Sequence, residues 1–510
     1  MKKRRIKDEK IKNILLNQKG MALLTTLIFV FILVTFAVAL LIMTSNDTKL
    51  SALQRDSTKA FYIAEAGIER TLYDLKKDYE VSKNWNDGDN IINSHTLADG
   101  KLYNEEPFGE GTYTVYLSNL TSVTVTIKSK GVVYNKSTRY VQVDATVESL
   151  SIWDNAIFAG TGASGRVING NVDIRGSVHI LGEGLSPTDF AINMGGGALI
   201  GNNYGYYPGN DGLSDALRAL IPSIGSPESL DAELRVKHGK VKLGGGAEVG
   251  KSEIIGDDYK DTVNGVYVTD GYDGDSASNV YSDNGTSNVY DLGDDITFPS
   301  LNDPYTDPDG NYYDHYAEYL DEKAFAPTIP GGNLIIGKSV DNFDYTDPYG
   351  KGSIKWDKAT LTLEISGLIK VTGNIEVKKS TPSKVYNYKG KGTLYASDPA
   401  KTTTIANDLL PRAEDGGFPI NAMGFISAGN LKIGGTSHIQ AAGAFYAEGK
   451  VESNKQNEIL GTFVSNYFDI GGQVPSIYQV PALAASLPPF MPGATITYTM
   501  YTSNWQEVHE

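Results

Sequence analysis

Few side chains in this chain stand at spacings that do chemistry. Two acidic runs come closest, Asp270-Gly271-Tyr272-Asp273-Gly274-Asp275 and Asp303-Pro304-Tyr305-Thr306-Asp307-Pro308-Asp309-Gly310-Asn311. Ca²⁺ takes about six to eight hard oxygens on a turn that Gly allows, so a calcium-ordered loop is one reading. An acidic solvated loop is the other, because neither run has the full spacing of a helix–loop–helix calcium site and no Glu closes it at the right distance. Asp173 and Arg175 put a carboxylate and a guanidinium two residues apart, both pointing outward if Val172 and Ile174 point in. His95, His179, His238, His315, His438 and His509 are scattered without metal spacing, and the chain has no Cys. No catalytic constellation and no metal set is therefore assigned, and no cofactor is expected beyond the calcium reading of the acidic loops.

The elements that carry these residues begin with an uncharged apolar run from Met21 to Met43, directly after Gly20. As a helix its 23 residues span about 34 Å, enough for a bilayer core of about 30 Å. Residues 1–20 hold eight Lys/Arg and two Asp/Glu, and such a flank stays on the cytoplasmic side. Three readings fit this start: a cleaved secretory signal, an ordinary anchor, and a prepilin leader cut between Gly20 and Met21 with the helix retained. The run exceeds the apolar core of about 7–15 residues typical of a secretory signal.

No Pro precedes residue 107, so nothing forces the helix to stop. Apolar residues at Leu50, Leu53, Phe61, Ala64, Ile68, Leu72 and Leu75, with Ser57 in the gap, fall at steps of three and four and make one stripe. The helix is expected to run to about Asp78, with an anchor followed by a separate soluble helix as the alternative; a kink near Thr44–Asp47 would fit either, and the cluster Asn84–Asn90 is expected to form a loop.

The junction at Gly20, the apolar run and the block Ala60-Phe61-Tyr62-Ile63-Ala64-Glu65-Ala66-Gly67-Ile68-Glu69-Arg70 resemble the N-terminal domain of PilX-type minor pilins, accessory subunits of type IV pili and related secretion pseudopili. The resemblance is close through the leader and the long helix and looser in the strands after them. It implies cleavage by prepilin peptidase after Gly20, methylation of the new amino terminus on Met21, and other pilins as partners. Major pilins resemble each other in a Glu at the fifth mature position, where this chain has Thr25. In the family that carboxylate is thought to pair with the terminal ammonium of a neighbouring subunit. Thr25 lacks the charge, but its hydroxyl can bond back to the helix carbonyl four residues earlier. Tip-located pseudopilins of the K type share the lack, so the resemblance points to a tip or priming position; a divergent anchor helix is the plainer reading.

Composition bounds the rest. The formal net charge is −16, and removing the +6 of residues 1–20 leaves −22. Such a surface does not bind nucleic acid by counterion release and suits a soluble exported head. Without Cys the core is built by burial alone. Beyond residue 107 the period changes to two, at Thr112–Leu117, Ser122–Lys128 and Arg139–Val147, with Gly131 and Asn135-Lys136 as turns. Three or four antiparallel strands follow from this.

After residue 150 the chain repeats. Asn169–Ile180 and Gly367–Val377 show a Gly-x-apolar-x-apolar unit. Gly424–Ala428, Gly443–Ala447 and Gly461–Ser465 recur at offsets of 19 (424 to 443) and 18 (443 to 461). Each is followed by a second apolar site, at Leu431/Ile433, Val451 and Phe468/Ile470. A period near 18 with two or three short strands fits a β-solenoid, with a β-sandwich or meander as the alternative. This region also looks like the solenoid-like heads appended to PilX-type chains.

The expectation is an α+β chain: a cytoplasmic leader (1–20), a long helix (21–80, with 21–43 transmembrane), a pilin-like antiparallel region (100–150), a first β-repeat region (151–250), an acidic Tyr-rich insertion (251–330), β-solenoid repeats (331–490) and a C-terminal tail strand (491–510). The expected function is a minor pilin contributing to pilus assembly, adhesion or both, in the cytoplasmic membrane and then on a cell-surface filament. Its expected partners are the membrane, the peptidase, other pilins and a host or surface ligand. The alternatives are a stationary membrane-anchored surface binding protein and a β-helix polysaccharide lyase using Asp173 and Arg175 with Ca²⁺; with no catalytic set in view, the chain is read as a non-enzyme.

Overall fold

The structure, a computed structural model, describes the chain except for residues 1, 83–84, 86–99, 122–123, 135, 162–167, 206–211, 255, 257, 287–288, 293–295, 436–437, 454, 471–474, 495–496 and 509–510. Two compact units are formed. One holds Met1–Glu148 with Tyr498–Glu510, and the other Ser149–Thr497.

In the first unit a helix, α1 (Lys2–Ser82), runs without interruption. It begins inside the expected leader, and Thr44–Asp47 are helical throughout. From Met21 to Leu50 every residue is exposed, as the all-round apolar run requires of a lipid-facing segment. Further along, one face is covered by β1 (Lys101–Phe108), β2 (Gly111–Ser118), β3 (Thr124–Val133) and β4 (Ser137–Leu150). These strands lie in sheet order, with β1–β2, β2–β3 and β3–β4 antiparallel, and the C-terminal strand Thr497–Val508 beside β4. β1 lacked a clean alternation and escaped the sequence reading. The predicted strand at Ser122 begins outside the described residues, and of the loop Asn84–Asn90 only Trp85 is described. That side chain is buried, and its indole N–H donates to the Leu75 carbonyl at 3.0 Å.

The stripe of the helix is offset from the expected one. Ala64, Ile68 and Leu75 are buried as predicted, but Leu50 and Leu53 are exposed, and the sheet instead covers Ala60, Ile63, Thr71 and Tyr79. Gly131 is not a turn. It lies within β3, where an added Cβ would come 2.1 Å from the Ala60 carbonyl oxygen, so the helix and sheet backbones meet there.

The second unit is a solenoid of short, mostly parallel strands, and among the described residues 21 strands form one continuous sheet. Its stacking order is not the chain order. One inward column runs through Ile369, Leu394, Phe425, Phe445, Phe463, Ile157, Val178, Leu234 and Val266, each in parallel register with the next and all buried. A second runs through Leu409, Ala441, Ile459, Ile477, Ile174, Ile200 and Val249. The chain therefore enters mid-stack at Ile157, winds to one end, crosses to the other, and winds back until Glu458–Asp469 and Ser476–Tyr478 lie against Ile157–Thr161 and Asp173–Arg175. The two predicted repeat regions are one stack.

The Asn169–Ile180 repeat supplies three successive sides of one coil, the strands Ile168–Gly170, Asp173–Arg175 and Val178–Glu183. The aromatic repeat is shifted by one from the expected alignment: Phe425 pairs with Phe445, although Gly443 pairs with Gly461 as predicted. Stacking explains the shift, since Phe425, Phe445 and Phe463 lie 5.6 and 5.1 Å apart with nearly parallel rings. At Gly461 φ is +127°, and an added Cβ would lie 1.9 Å from the Gly443 carbonyl oxygen, so the bend between the two columns needs glycine.

The acidic stretch divides. Gly265–Val268 pairs with Glu233–Val236, and Val280 and Ser282 bridge Val249 and Val263, so residues up to Ser282 belong to a solenoid coil rather than an insertion. The crossover begins near Ile296 and carries a hairpin, Tyr305–Thr306 with Tyr312–Tyr313, and the short helix Tyr316–Lys323. Glu448 pins it, accepting from the Ser300 hydroxyl at 2.6 Å and the Leu301 N–H at 2.9 Å. At the far end, Phe343–Thr346, Gly352–Asp357 and Thr362–Val371 pair antiparallel and bury Trp356.

Candidate functional site

The candidate site is α1 itself, from the Gly20–Met21 junction to the seat of the helix on the sheet. Thr25 donates to the Met21 carbonyl at 2.9 Å and the Ala22 carbonyl at 3.0 Å. Thr26, Thr35, Thr44 and Thr48 bond back to their own helix in the same way. Each of these hydroxyls is thereby satisfied without a partner helix, which makes it inexpensive in lipid.

The seat explains the Ala60–Arg70 block physically. Ala60 and Ala64 are fully buried, and at Gly67 an added Cβ would come 2.5 Å from Ser129 Oγ and 3.0 Å from the Tyr113 ring. Small residues one and two turns apart let the helix lie directly on β2 and β3. Ile63 and Ile68 flank them in the core with Val115, Ile127, Val141 and Val143. On the rim, Arg70 donates to the Tyr113 hydroxyl at 3.0 Å and lies 4.7 Å over the Tyr103 ring. The Tyr103 hydroxyl bonds to Asp74, and burial with that carboxylate pushes the phenol well above its ordinary range. The C-terminal strand is tied in by Arg139, which reaches Ser57 on α1 at 2.7 Å and Glu507 at 2.8 Å.

The other candidates are not brought together. Asp173 and Arg175 are buried rather than outward-facing on the surface, which corrects the reading that offered them to a substrate. They pair with each other at 2.7 and 3.3 Å, and Arg175 also donates to the Asn203 carbonyl at 3.1 Å. The physical reason is that the last coil stacks over this position, and sequence alternation does not reveal such cover. In the same junction Gln479 donates its N–H to the Arg175 carbonyl at 2.8 Å and accepts from the Ser177 N–H at 2.7 Å.

In the first acidic run the carboxylates diverge: Asp270 accepts from the Gly239 N–H at 2.6 Å, and Asp273 pairs with Lys242 at 2.8 Å. In the second, Asp307 closes its own turn, accepting from the Asn311 N–H at 2.8 Å, the Asn311 side chain at 3.0 Å and the Asp309 N–H at 3.1 Å. Those donors hold its carboxyl below the usual range, together with Lys323. Among the described residues no group of three or more His, Asp or Glu is arranged to hold a metal ion. His95 and His509 lie outside the described residues. His179 is buried, 2.8 Å from the Tyr290 hydroxyl and edge-on to Phe158. Burial, with Arg235 and Lys237 near, pushes its pKa down to about 3.

Residues 19–69 match the PilX N-terminal family, the segment that spans the junction, the apolar run and the small-residue seat. Over this segment the chain is similar to PilX-type minor pilins. The match covers about a tenth of the sequence. The crystal structure of the competence-associated pilin ComZ from Thermus thermophilus is similar over 88% of this chain and 98% of that one, with a TM-score of 0.50 and 20% identity. At that identity the likeness concerns the fold, and it extends over most of the chain. A search of curated proteins returns no match. The helix from Met21 onward is long and apolar enough to cross a membrane, and its apolar stretch is fully exposed, which suits a membrane-anchored subunit.

Proposed function

We propose that this minor pilin is processed between Gly20 and Met21, methylated on Met21, and placed at the tip or priming position of a type IV pilus-like filament. There it exposes the solenoid for adhesion, assembly or both. One observation carries the reading: a single unbroken helix in which Met21–Met43 is bare apolar surface and one face from Ala60 to Tyr79 is clamped to a sheet. Such a helix can exchange lipid for neighbouring helices without disturbing its own unit. Thr25 supports the tip position, because a hydroxyl bonded to its own helix offers no charge to a terminal ammonium above it. A head as large as Ser149–Thr497, inserted in the chain between β4 and the C-terminal strand, also suits a place that need not repeat along a packed shaft. A membrane-anchored subunit with its basic flank in the cytoplasm carries that head outside the membrane. The fold's likeness to a competence-associated pilin adds competence to the processes such a filament could serve.

The test is N-terminal sequencing of protein extracted from membranes and from sheared surface fibres. The expected outcome is N-methyl-Met21 in the fibre fraction, with immunogold label at fibre ends. Native protein that retains residues 2–19 and never sediments with fibres would instead identify a stationary anchored surface protein. Label spaced along the shaft would refute the tip position alone.

A further inference from the structure

We propose that one corner of the solenoid, formed by Lys338, Lys378 and Lys384 with Lys379 beside them, is a docking surface for an anionic polysaccharide. Charge is distributed unevenly along the stack. Residues 251–285, in the coil at one end, hold eight Asp/Glu and two Lys, whereas residues 351–391, near the other, hold nine Lys and three Asp/Glu. Four lysines of the basic end are occupied: Lys355, Lys358, Lys370 and Lys389 pair with Asp344, Asp341, Asp321 and Glu364. Lys338, Lys378 and Lys384 have no carboxylate within ion-pair distance among the described residues, in a chain otherwise rich in acid.

The fold gathers these three. Ile336 and Val377 are in register on neighbouring coils, so Gly337 faces Lys378, whose Cβ would lie 3.1 Å from an added Cβ at that glycine. Lys338 follows immediately, its N–H donating to the Tyr386 hydroxyl at 2.8 Å. Lys384 is brought back to the same corner by a buried staple. The Ser380 hydroxyl accepts from the Lys384 N–H at 2.7 Å, while Asn407 donates to the Lys384 carbonyl at 2.7 Å and accepts from the Ser380 N–H at 2.8 Å. Ser380 and Asn407 are buried, and Lys338 and Lys384 are exposed. The backbone is thus held while the ammonium groups of Lys338, Lys378 and Lys384 stay clear of carboxylates, which keeps the ordering cost of binding low.

The chemistry favours a glycan. The corner offers point charges with the hydroxyl-bearing residues Ser339, Thr381 and Ser383, all exposed, and has neither Arg nor an exposed aromatic ring. Single-stranded nucleic acid is held by aromatic platforms as well as cations, and duplex DNA carries a charge density that the acidic remainder of the chain opposes. A carboxylated polysaccharide, whose charges are spaced more widely than those of duplex DNA and which needs no aromatic platform, meets neither obstacle.

The experiment uses the detergent-solubilised full chain, so it does not depend on whether the chain reaches a filament. Fluorescent polygalacturonate is titrated at low and moderate salt beside neutral dextran and a single-stranded oligonucleotide of equal charge. The triple variant Lys338→Gln, Lys378→Gln, Lys384→Gln is compared with a charge-matched control, Lys242→Gln, Lys260→Gln, Lys432→Gln, which alters paired lysines elsewhere. The expected result is salt-sensitive polygalacturonate binding weakened at least tenfold in the corner variant and less than twofold in the control. The single exposed changes Lys338→Gln and Lys384→Gln give intermediate losses. Absence of binding by the wild-type chain, equal losses in both triple variants, or tighter binding of the oligonucleotide would each overturn the proposal.

Discussion

Both units are closed by a late segment returning to an early one, but they do it by different physics. In the pilin unit the C-terminal strand joins the edge of a meander whose strands were already paired in sequence order. In the solenoid the final coil completes the middle of the stack: Phe463 meets Ile157 and Ser476 meets Asp173, contacts of very long sequence separation. The meander is complete without its last strand, whereas the solenoid without its last coil exposes two apolar ends. Repeat stacks hide inward residues only against neighbours, so the junction should be the weak point of the head and the returning strand a minor part of the pilin unit.

The strongest way to break this contrast is Arg175→Ala. It takes the guanidinium away from the buried Asp173 carboxylate, and removing one member of such a pair costs about 3–5 kcal/mol. Chemical denaturation should show the head transition moving while hydrogen exchange in the α1 seat stays unchanged; coupled loss of both would erase the distinction. Phe445→Ala takes the middle ring from the Phe425–Phe445–Phe463 stack, also at about 3–5 kcal/mol, again confined to the head.

Gly131→Ala tests the other side. Its Cβ cannot be housed 2.1 Å from the Ala60 carbonyl, so helix and sheet must part, at about 1–3 kcal/mol by the usual cost of overpacking. The expected readout is faster exchange at Ala60–Thr71, with the head transition unmoved.

The pH response separates the units further. His179 has its folded pKa lowered to about 3 from an ordinary 6.5. The unfolded chain therefore takes up a proton that the folded head refuses, and stability present above pH 6.5 is lost as pH falls toward 3. His179→Gln, which can still meet the Tyr290 hydroxyl, should flatten that slope in a pH series of head melting temperatures. An unchanged slope would assign the acid response to the carboxylates instead. The smallest effect belongs to Arg139→Ala, which frees the half-exposed pair with Glu507. A change of at most about 1 kcal/mol is expected, seen as local fraying of Thr497–Val508.

Much of the pilin unit is legible because its signals are local. The Met21–Met43 run declares a membrane-length helix by composition, and the alternation at Thr112–Leu117 and Arg139–Val147 declares strands whose partners lie next to them. The seat was partly legible: Ala64, Ile68 and Leu75 follow from spacing, but Leu50 and Leu53 share that spacing and lie beyond the reach of the sheet. Gly131 reads as a turn because glycine commonly makes one, and nothing nearby reveals that a helix backbone lies above it.

Sequence alone determined the long helix, its apolar run from Met21 to Met43 and the existence of a coil repeat, since each depends on residue type and period within one segment. Tertiary structure decided the order in which coils stack, the one-residue shift that brings Phe425 over Phe445, the burial of Asp173 and Arg175, and the lysine corner. Those depend on which distant segment lies alongside, and a parallel coil can in principle accept any neighbour of matching width. The choice is made only when the whole stack closes and every inward column finds cover.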